Sequence, residues 1–275
     1  MKITALIKSG AHQFYFVNKI HQALGIDLVI VEDKHNGKIP VVKQFQAKMA
    51  LKSLFRENPR VPIRIKTKKA VDINQRIFKD SWYDIDDGPD IMFCRSINDK
   101  AVEEKIKEYE TDILIDHGTS IVQNHIISSA KQAINLHWGL SPYYRGTHCT
   151  EWALINWDPR NIGVTIHSLS KEIDGGDVIG QSRVEIEEID SVDSINMKLS
   201  KQGTEIMIEV LKYLNAGGEL KFEKQDFSQG FLTLNRQWSR TLRQQIKDIE
   251  KQGLLKKIIK SPARKEEMPI VEFKG

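Results

Sequence analysis

Residues 3–32 read ITALIKSGAHQFYFVNKIHQALGIDLVIVE. The opening ITALI is apolar and β-prone, which predicts a strand. Residues 14–24 then place Phe16, Ile20 and Leu24 at helical spacing, and LVIVE, ending at Glu32, predicts a second strand. Strand, helix and strand within about 30 residues form a βα unit and imply a parallel sheet.

The alternation continues beyond this unit. DIMFC (Asp90 to Cys94) predicts a strand, residues 99–109 a helix with an acidic start, and TDILIDHG a buried strand running into a glycine turn at Gly118. A short helix or turn is expected over residues 121–130 and a strand at AINLH (Ala133 to His137). A helix follows from Glu151, then strands over residues 162–169 and 177–186, then a long helix over residues 191–214 closed by Gly217 and Gly218. The expected fold is α/β, with a mostly parallel sheet and flanking helices. Residues 34–85 interrupt the pattern. Their first half is rich in Lys and Arg, holds Pro40, Pro59 and Pro62, and predicts one helix over residues 42–54 through Phe45, Met49 and Leu54. This stretch reads as an insertion with a solvated basic face.

A catalytic domain over residues 1–219 is therefore expected, followed by an appendage over residues 220–275. There Trp238, Leu242, Ile246 and Ile249 share one helical face. Residues 235–265 carry ten Lys or Arg against two acids, read as a solvated helix face rather than a nucleic-acid contact. The net charge of +4 is too small to name nucleic acid as a partner. No apolar run is long enough to cross a membrane, and the first residues lack the form of a signal peptide. A cytoplasmic protein is expected, with Cys94 and Cys149 as reduced thiols. No His, Cys or Asp set has metal-ligand spacing, so no metal is expected.

The chemistry concentrates in residues 133–181, which contain AINLHWGLSPYYRG and then IGVTIHSLSKEIDGGDVIGQ. Asn135 and His137 lie two apart on a predicted strand and so face the same side. The strand runs into a loop holding Gly139, Pro142 and Gly146, at the carboxyl edge where open α/β sheets bind ligands. Asp174 lies in a second glycine-rich loop after the strand carrying His167. An amide, an imidazole and a carboxylate suit acyl transfer to an amine. Asn135 and His137 could donate to the developing oxyanion, and Asp174, or a water it holds, could take the amine's proton. Asp174 beside His137 would favour the imidazolium. No nucleophile elbow is present, so no covalent acyl-enzyme is implied. Taken singly, Asn-x-His and Asp-Gly-Gly fit an ordinary strand and turn, and the residues alone leave both readings open.

The ordered motifs around these residues resemble the folate-dependent formyltransferases, which include the glycinamide ribonucleotide, methionyl-tRNA and nucleotide-sugar enzymes. The resemblance runs from about residue 112 to residue 181. It implies a Rossmann-like fold, 10-formyltetrahydrofolate as the formyl donor, and catalytic roles for Asn135, His137 and Asp174. It also implies that Gly118, Thr119 and Ile121 line the pterin pocket, with Leu169, Lys171 and Ile173 covering its other edge. His167 falls where the family often has a histidine near the site, whereas His117 and His148 are expected at the surface or in loops. The chain departs from the family's Ser-Leu-Leu-Pro with Gly139-Leu140-Ser141-Pro142, and Trp138 is bulkier than usual. These changes bear on loop shape and the acceptor pocket.

The acceptor is reached by elimination. A methionyl-tRNA enzyme of this family should carry a barrel-like C-terminal domain, and residues 220–275 read mainly as helix. A glycinamide ribonucleotide enzyme should have a glycine-rich phosphate loop after its first strand, and KSGAHQFYF holds one glycine. The amine of a nucleotide-linked amino sugar is therefore the expected acceptor. A hydroxylated amino acid, glycinamide ribonucleotide and methionyl-tRNA stay open as alternatives. Other classes are a formyltetrahydrofolate hydrolase, which in this family would have a regulatory domain before the core, and a non-catalytic binding module. An exposed face of the C-terminal helix could pair two copies as a homodimer.

Overall fold

The structure is a computed structural model and describes residues 1–33, 78, 84–261 and 266–275. The expected insertion, with its helix over residues 42–54, therefore lies outside the described residues apart from 78, 84 and 85. Among those described, seven strands form one mostly parallel sheet flanked by helices, and two short strands pair separately. The chain divides into two units, Met1–Asn135 and Leu136–Gly275.

In the first unit, β1 (Ile3–Lys8), α1 (Ala11–Leu24) and β2 (Leu28–Glu32) realise the strand–helix–strand reading. The helix begins earlier than its apolar spacing predicts, because the Gly10 carbonyl accepts from Phe14 N and draws Ala11 into the first turn. Phe14, Phe16, Val17 and Ile20 are fully buried. Then come β3 (Asp90–Cys94), α2 (Lys100–Glu108), β4 (Ile113–His117), α3 (Asn124–Ile127) and β5 (Gln132–His137). The strand order is β3-β2-β1-β4-β5, with every pairing parallel. The order reverses between β1 and β4, which is where open parallel sheets admit ligands beyond the strand ends. Gly118 follows β4 at φ +76°, a conformation glycine adopts without a Cβ clash. Glu32, buried at the end of β2, accepts from the amide and the hydroxyl of Ser120, each at 2.9 Å, and so fixes the loop after β4.

The second unit contains β6 (Tyr144–Gly146), α4 (Cys149–Ile155), β7 (Gly163–Ser168), β8 (Val178–Arg183), α5 (Val192–Asn215), β9 (Phe231–Thr233), α6 (Arg240–Lys251) and α7 (Leu254–Lys260). Strands β7 and β8 form an antiparallel hairpin whose register shifts between Ile166 and His167. The long helix α5 begins on a Ser191–Ser194 capping box and buries Ile195, Leu199, Met207, Val210 and Leu211. The C-terminal region is helical as expected, but it also supplies β9, which pairs parallel with β6. Three residues are too few to show a period of two, so the sequence reading passes over that strand. Of the four apolar residues assigned to one helical face there, Ile246 is buried, while Trp238 precedes α6. Among the described residues no helix is long and apolar enough to cross a membrane.

Candidate active site

Asn135 and His137 emerge from the same face of β5 near its carboxyl end, and both are 7% exposed. After His137 the chain turns through residues 139–142, where the Ser141–Pro142 peptide is cis. Thr165 of β7 fastens this turn, its hydroxyl donating to the Gly139 carbonyl at 2.6 Å and accepting from Ser141 N at 3.0 Å. Gln181 of β8 donates to the Ser141 carbonyl at 2.6 Å. The hairpin thus sets the loop that orients His137.

The imidazole of His137 has an oxygen on either side. Nε2 lies 3.0 Å from the Tyr144 carbonyl, which can only accept, and Nδ1 lies 3.3 Å from Asp174 Oδ2. A side chain at Gly139 would not fit here. A Cβ would stand 2.4 Å from His137 Nε2 and 2.5 Å from the Tyr144 carbonyl oxygen. The departure from the family's loop sequence therefore has a steric reason in this chain.

Asp174 is held from several directions. Gly146 N donates to Oδ2 at 2.8 Å, and His167 Nε2 lies 3.6 Å from Oδ1. His167 is the residue at the register shift of the hairpin, where a bulge re-aims side chains. Asp174 itself has φ +47°, a left-handed conformation costing on the order of 1 kcal/mol for a non-glycine residue. The backbone carbonyl of Asp174 accepts from Gln225 Nε2 at 3.0 Å, and the same amide donates to the Gly176 carbonyl at 2.6 Å.

Burial by itself would raise the Asp174 carboxyl, but His137, His167 and the Gly146 amide outweigh it and hold the group at about 2. Burial moves His137 the other way, below the ordinary histidine value, and Asp174 only partly restores it. The carboxylate and the imidazolium thus compete for one stable arrangement. The carboxylate is the firm member, because the Gly146 N–H donates to it whatever the charge on the ring. The charge of Asp174 favours the imidazolium, as proximity predicts, while burial opposes it.

The structure brings together residues that sequence reasoning missed. Arg145 is 8% exposed, its guanidinium 3.9 Å from the Phe227 ring centroid, and desolvation lowers its pKa. Cys149 Sγ lies 3.6 Å from His137 Nε2, and burial raises this thiol well above its ordinary value. Both cysteines are free and buried. His117, expected at the surface, is 4% exposed on β4, where strand burial overrides the polarity of the ring. His148 has φ +61° and stacks on Trp238 at 4.4 Å.

The six residues expected at the folate fall in both units. In the first, Gly118 follows β4, Thr119 donates to Asp116 at 2.5 Å, and the Ile121 side chain is 60% exposed. In the second, Leu169, Lys171 and Ile173 lie in the loop leading to Asp174, Lys171 being exposed and the other two half-buried. Among the described residues no group of three His, Cys, Asp or Glu side chains could hold a metal ion.

A mostly parallel sheet flanked by helices, with two imidazoles against one carboxylate, defines the chain as an α/β protein with a histidine–carboxylate cluster. The chain belongs to the formyl transferase family, whose profile matches residues 33–211. A methionyl-tRNA formyltransferase of Streptococcus suis strain 05ZYH33 is 36% identical over 131 residues, which make up 45% of this chain and 41% of that protein. The chain thus spans less than half the length of that curated relative. A sugar N-formyltransferase from a Shewanella species is similar in structure, with a TM-score of 0.54 at 16% identity over 86% of this chain and 78% of that one. HypX from Aquifex aeolicus in complex with tetrahydrofolic acid has a TM-score of 0.52 at 14% identity over 88% of this chain and 31% of its own. At these identities the two structural likenesses show a shared fold.

Proposed function

We propose that this protein moves a formyl group from 10-formyltetrahydrofolate to the amine of a nucleotide-linked amino sugar. The observation that carries the reading is the His137–Asp174 pair, in which the carboxylate is held by the Gly146 amide. Family membership and the tetrahydrofolate-bound structural relative support the donor, and the Shewanella relative supports a sugar amine. Gly118, Thr119, Ile121, Leu169, Lys171 and Ile173 stand as the folate contacts.

The amine nitrogen attacks the formyl carbon, and charge builds on the formyl oxygen. The Asn135 amide donates to that oxygen. Both ring nitrogens of His137 already face acceptors, so its role moves from direct oxyanion donor to proton handling. The amine's proton passes to the His137–Asp174 pair, where the doubly protonated ring is met by the Tyr144 carbonyl on one side and the carboxylate on the other. The bond from the formyl carbon to N10 of the donor then breaks, N10 takes a proton, and the formamide and tetrahydrofolate leave.

The test is release of tetrahydrofolate from 10-formyltetrahydrofolate in the presence of nucleotide-linked amino sugars, glycinamide ribonucleotide, a hydroxylated amino acid or charged methionyl-tRNA. Turnover with an amino-sugar nucleotide is expected. Turnover only with charged tRNA would replace the acceptor. Release in water alone would make the protein a hydrolase, and no release with any acceptor would leave a binding module.

A further inference from the structure

Arg145 is a buried cation that makes no ion pair among the described residues, the Asp174 carboxylate acting on its charge only through space. Its side chain is 8% exposed and its Nε is sealed from solvent, and among the described residues that nitrogen has no hydrogen-bond partner. No carboxylate of the described residues lies within ion-pair distance of the guanidinium. Its companion is the ring of Phe227, 3.9 Å away, and that ring also packs where a Cβ at Gly175 would come within 3.0 Å of it. The ring offers attraction to the charge but no oxygen for the fork of donors. Burying a charge without a partner is costly, and an arginine so placed is matched by an oxyanion from outside the chain.

We propose that Arg145 binds a phosphate oxyanion of the formyl acceptor, with Phe227 holding the guanidinium in place; this rests on the nucleotide-linked acceptor proposed above. Arg145 immediately precedes Gly146, whose amide holds Asp174, so an anion bound there arrives with its amine beside the proton-handling pair. The choice of acceptor over donor follows from where Phe227 lies. It stands at residue 227, beyond the 33–211 that match the family profile.

Calorimetric titration of the full chain with UDP, with dTDP and with tetrahydrofolate decides the matter, using wild type, Arg145→Gln and Arg145→Lys. Wild type should bind at least one nucleoside diphosphate. Arg145→Gln should weaken that binding by at least about tenfold and Arg145→Lys by less, because a bidentate charged contact is lost in the first and a point charge kept in the second. Tetrahydrofolate affinity should stay unchanged in both, which also shows that the variants are folded. Unchanged nucleotide binding in Arg145→Gln overturns the role of Arg145 and leaves the acceptor reading standing. Weakened tetrahydrofolate binding instead assigns the anion to the donor and overturns it as well. A wild-type protein that binds neither nucleotide overturns the nucleotide-linked acceptor and the phosphate subsite together.

Discussion

His137 and Asp174 show how surrounding groups set the charge of one carboxylate. Gly146 and the two imidazoles hold Asp174 at about 2 despite its burial, while burial lowers His137 and Asp174 partly restores it. A proton arriving at the pair thus has two adjacent resting places, and the pair titrates as one unit. His137→Ala and Asp174→Asn should each lower formyl transfer by at least about a hundredfold, the scale of a lost acid–base or electrostatic contribution. Near-normal turnover in either variant would remove that residue from the chemistry. Removing Asp174 also removes the charge that lifts His137. The ring of Asp174→Asn should therefore titrate at a lower pH than in wild type, readable from its imidazole proton shifts. A higher value would mean that Asp174 does not set the histidine.

At the scale of elements, the turn after β5 and the C-terminal segment do the positioning. Gly139→Ala puts a methyl group into the contact between His137 Nε2 and the Tyr144 carbonyl, and the carbonyl belongs to β6, which cannot swing aside as a side chain would. Overpacking of this kind costs about 1–3 kcal/mol. The variant should stay folded while losing most of its turnover, and full activity would show the turn to be looser than described. Gln225→Leu releases the carbonyls of Asp174 and Gly176 and should lower turnover together with the melting temperature. An unchanged pair of values would deny Gln225 its part. These elements also mark what the sequence could and could not reveal. The periods of β1, α1, β2 and β5 are intrinsic to short windows, so the sheet and the shared face of Asn135 and His137 are legible by counting. Asp174 becomes legible through its glycines and through motif order. The contribution of Gln225 and Phe227 is not, because they act from about 50 residues beyond Asp174, through contacts that leave no periodic mark. The same holds for Gly139, whose need to be glycine depends on where Tyr144 comes to rest.

At the scale of the whole molecule, each unit holds a histidine whose pKa burial lowers, and this shapes how the protein responds to acid. In the first unit His12 is pulled from 6.5 to about 3 by burial, with His117 adding to the effect. In the second, burial lowers His137. A group whose folded pKa lies below its unfolded value binds its proton more readily in the unfolded chain. Its contribution is therefore complete above pH 6.5 and is lost as pH falls toward the folded value. For His12 the loss reaches the order of 4 kcal/mol by about pH 3. Asp174 acts in a lower window. Its contribution is present above its unfolded value of 3.8 and disappears as pH falls through about 2, amounting to about 2 kcal/mol. Both units should thus weaken from pH 6.5 downward, and the second should weaken again below pH 4. Four of the five tryptophans lie beyond residue 135, so urea unfolding followed by fluorescence reports the second unit, while hydrogen exchange along β1 and α1 reports the first. His12→Gln should flatten the pH dependence of exchange in the first unit by one proton, about 1.4 kcal/mol per pH unit, and leave the fluorescence transition unchanged. If exchange in the wild type shows no loss of stability between pH 6.5 and 4.5, His12 is not held neutral by the fold.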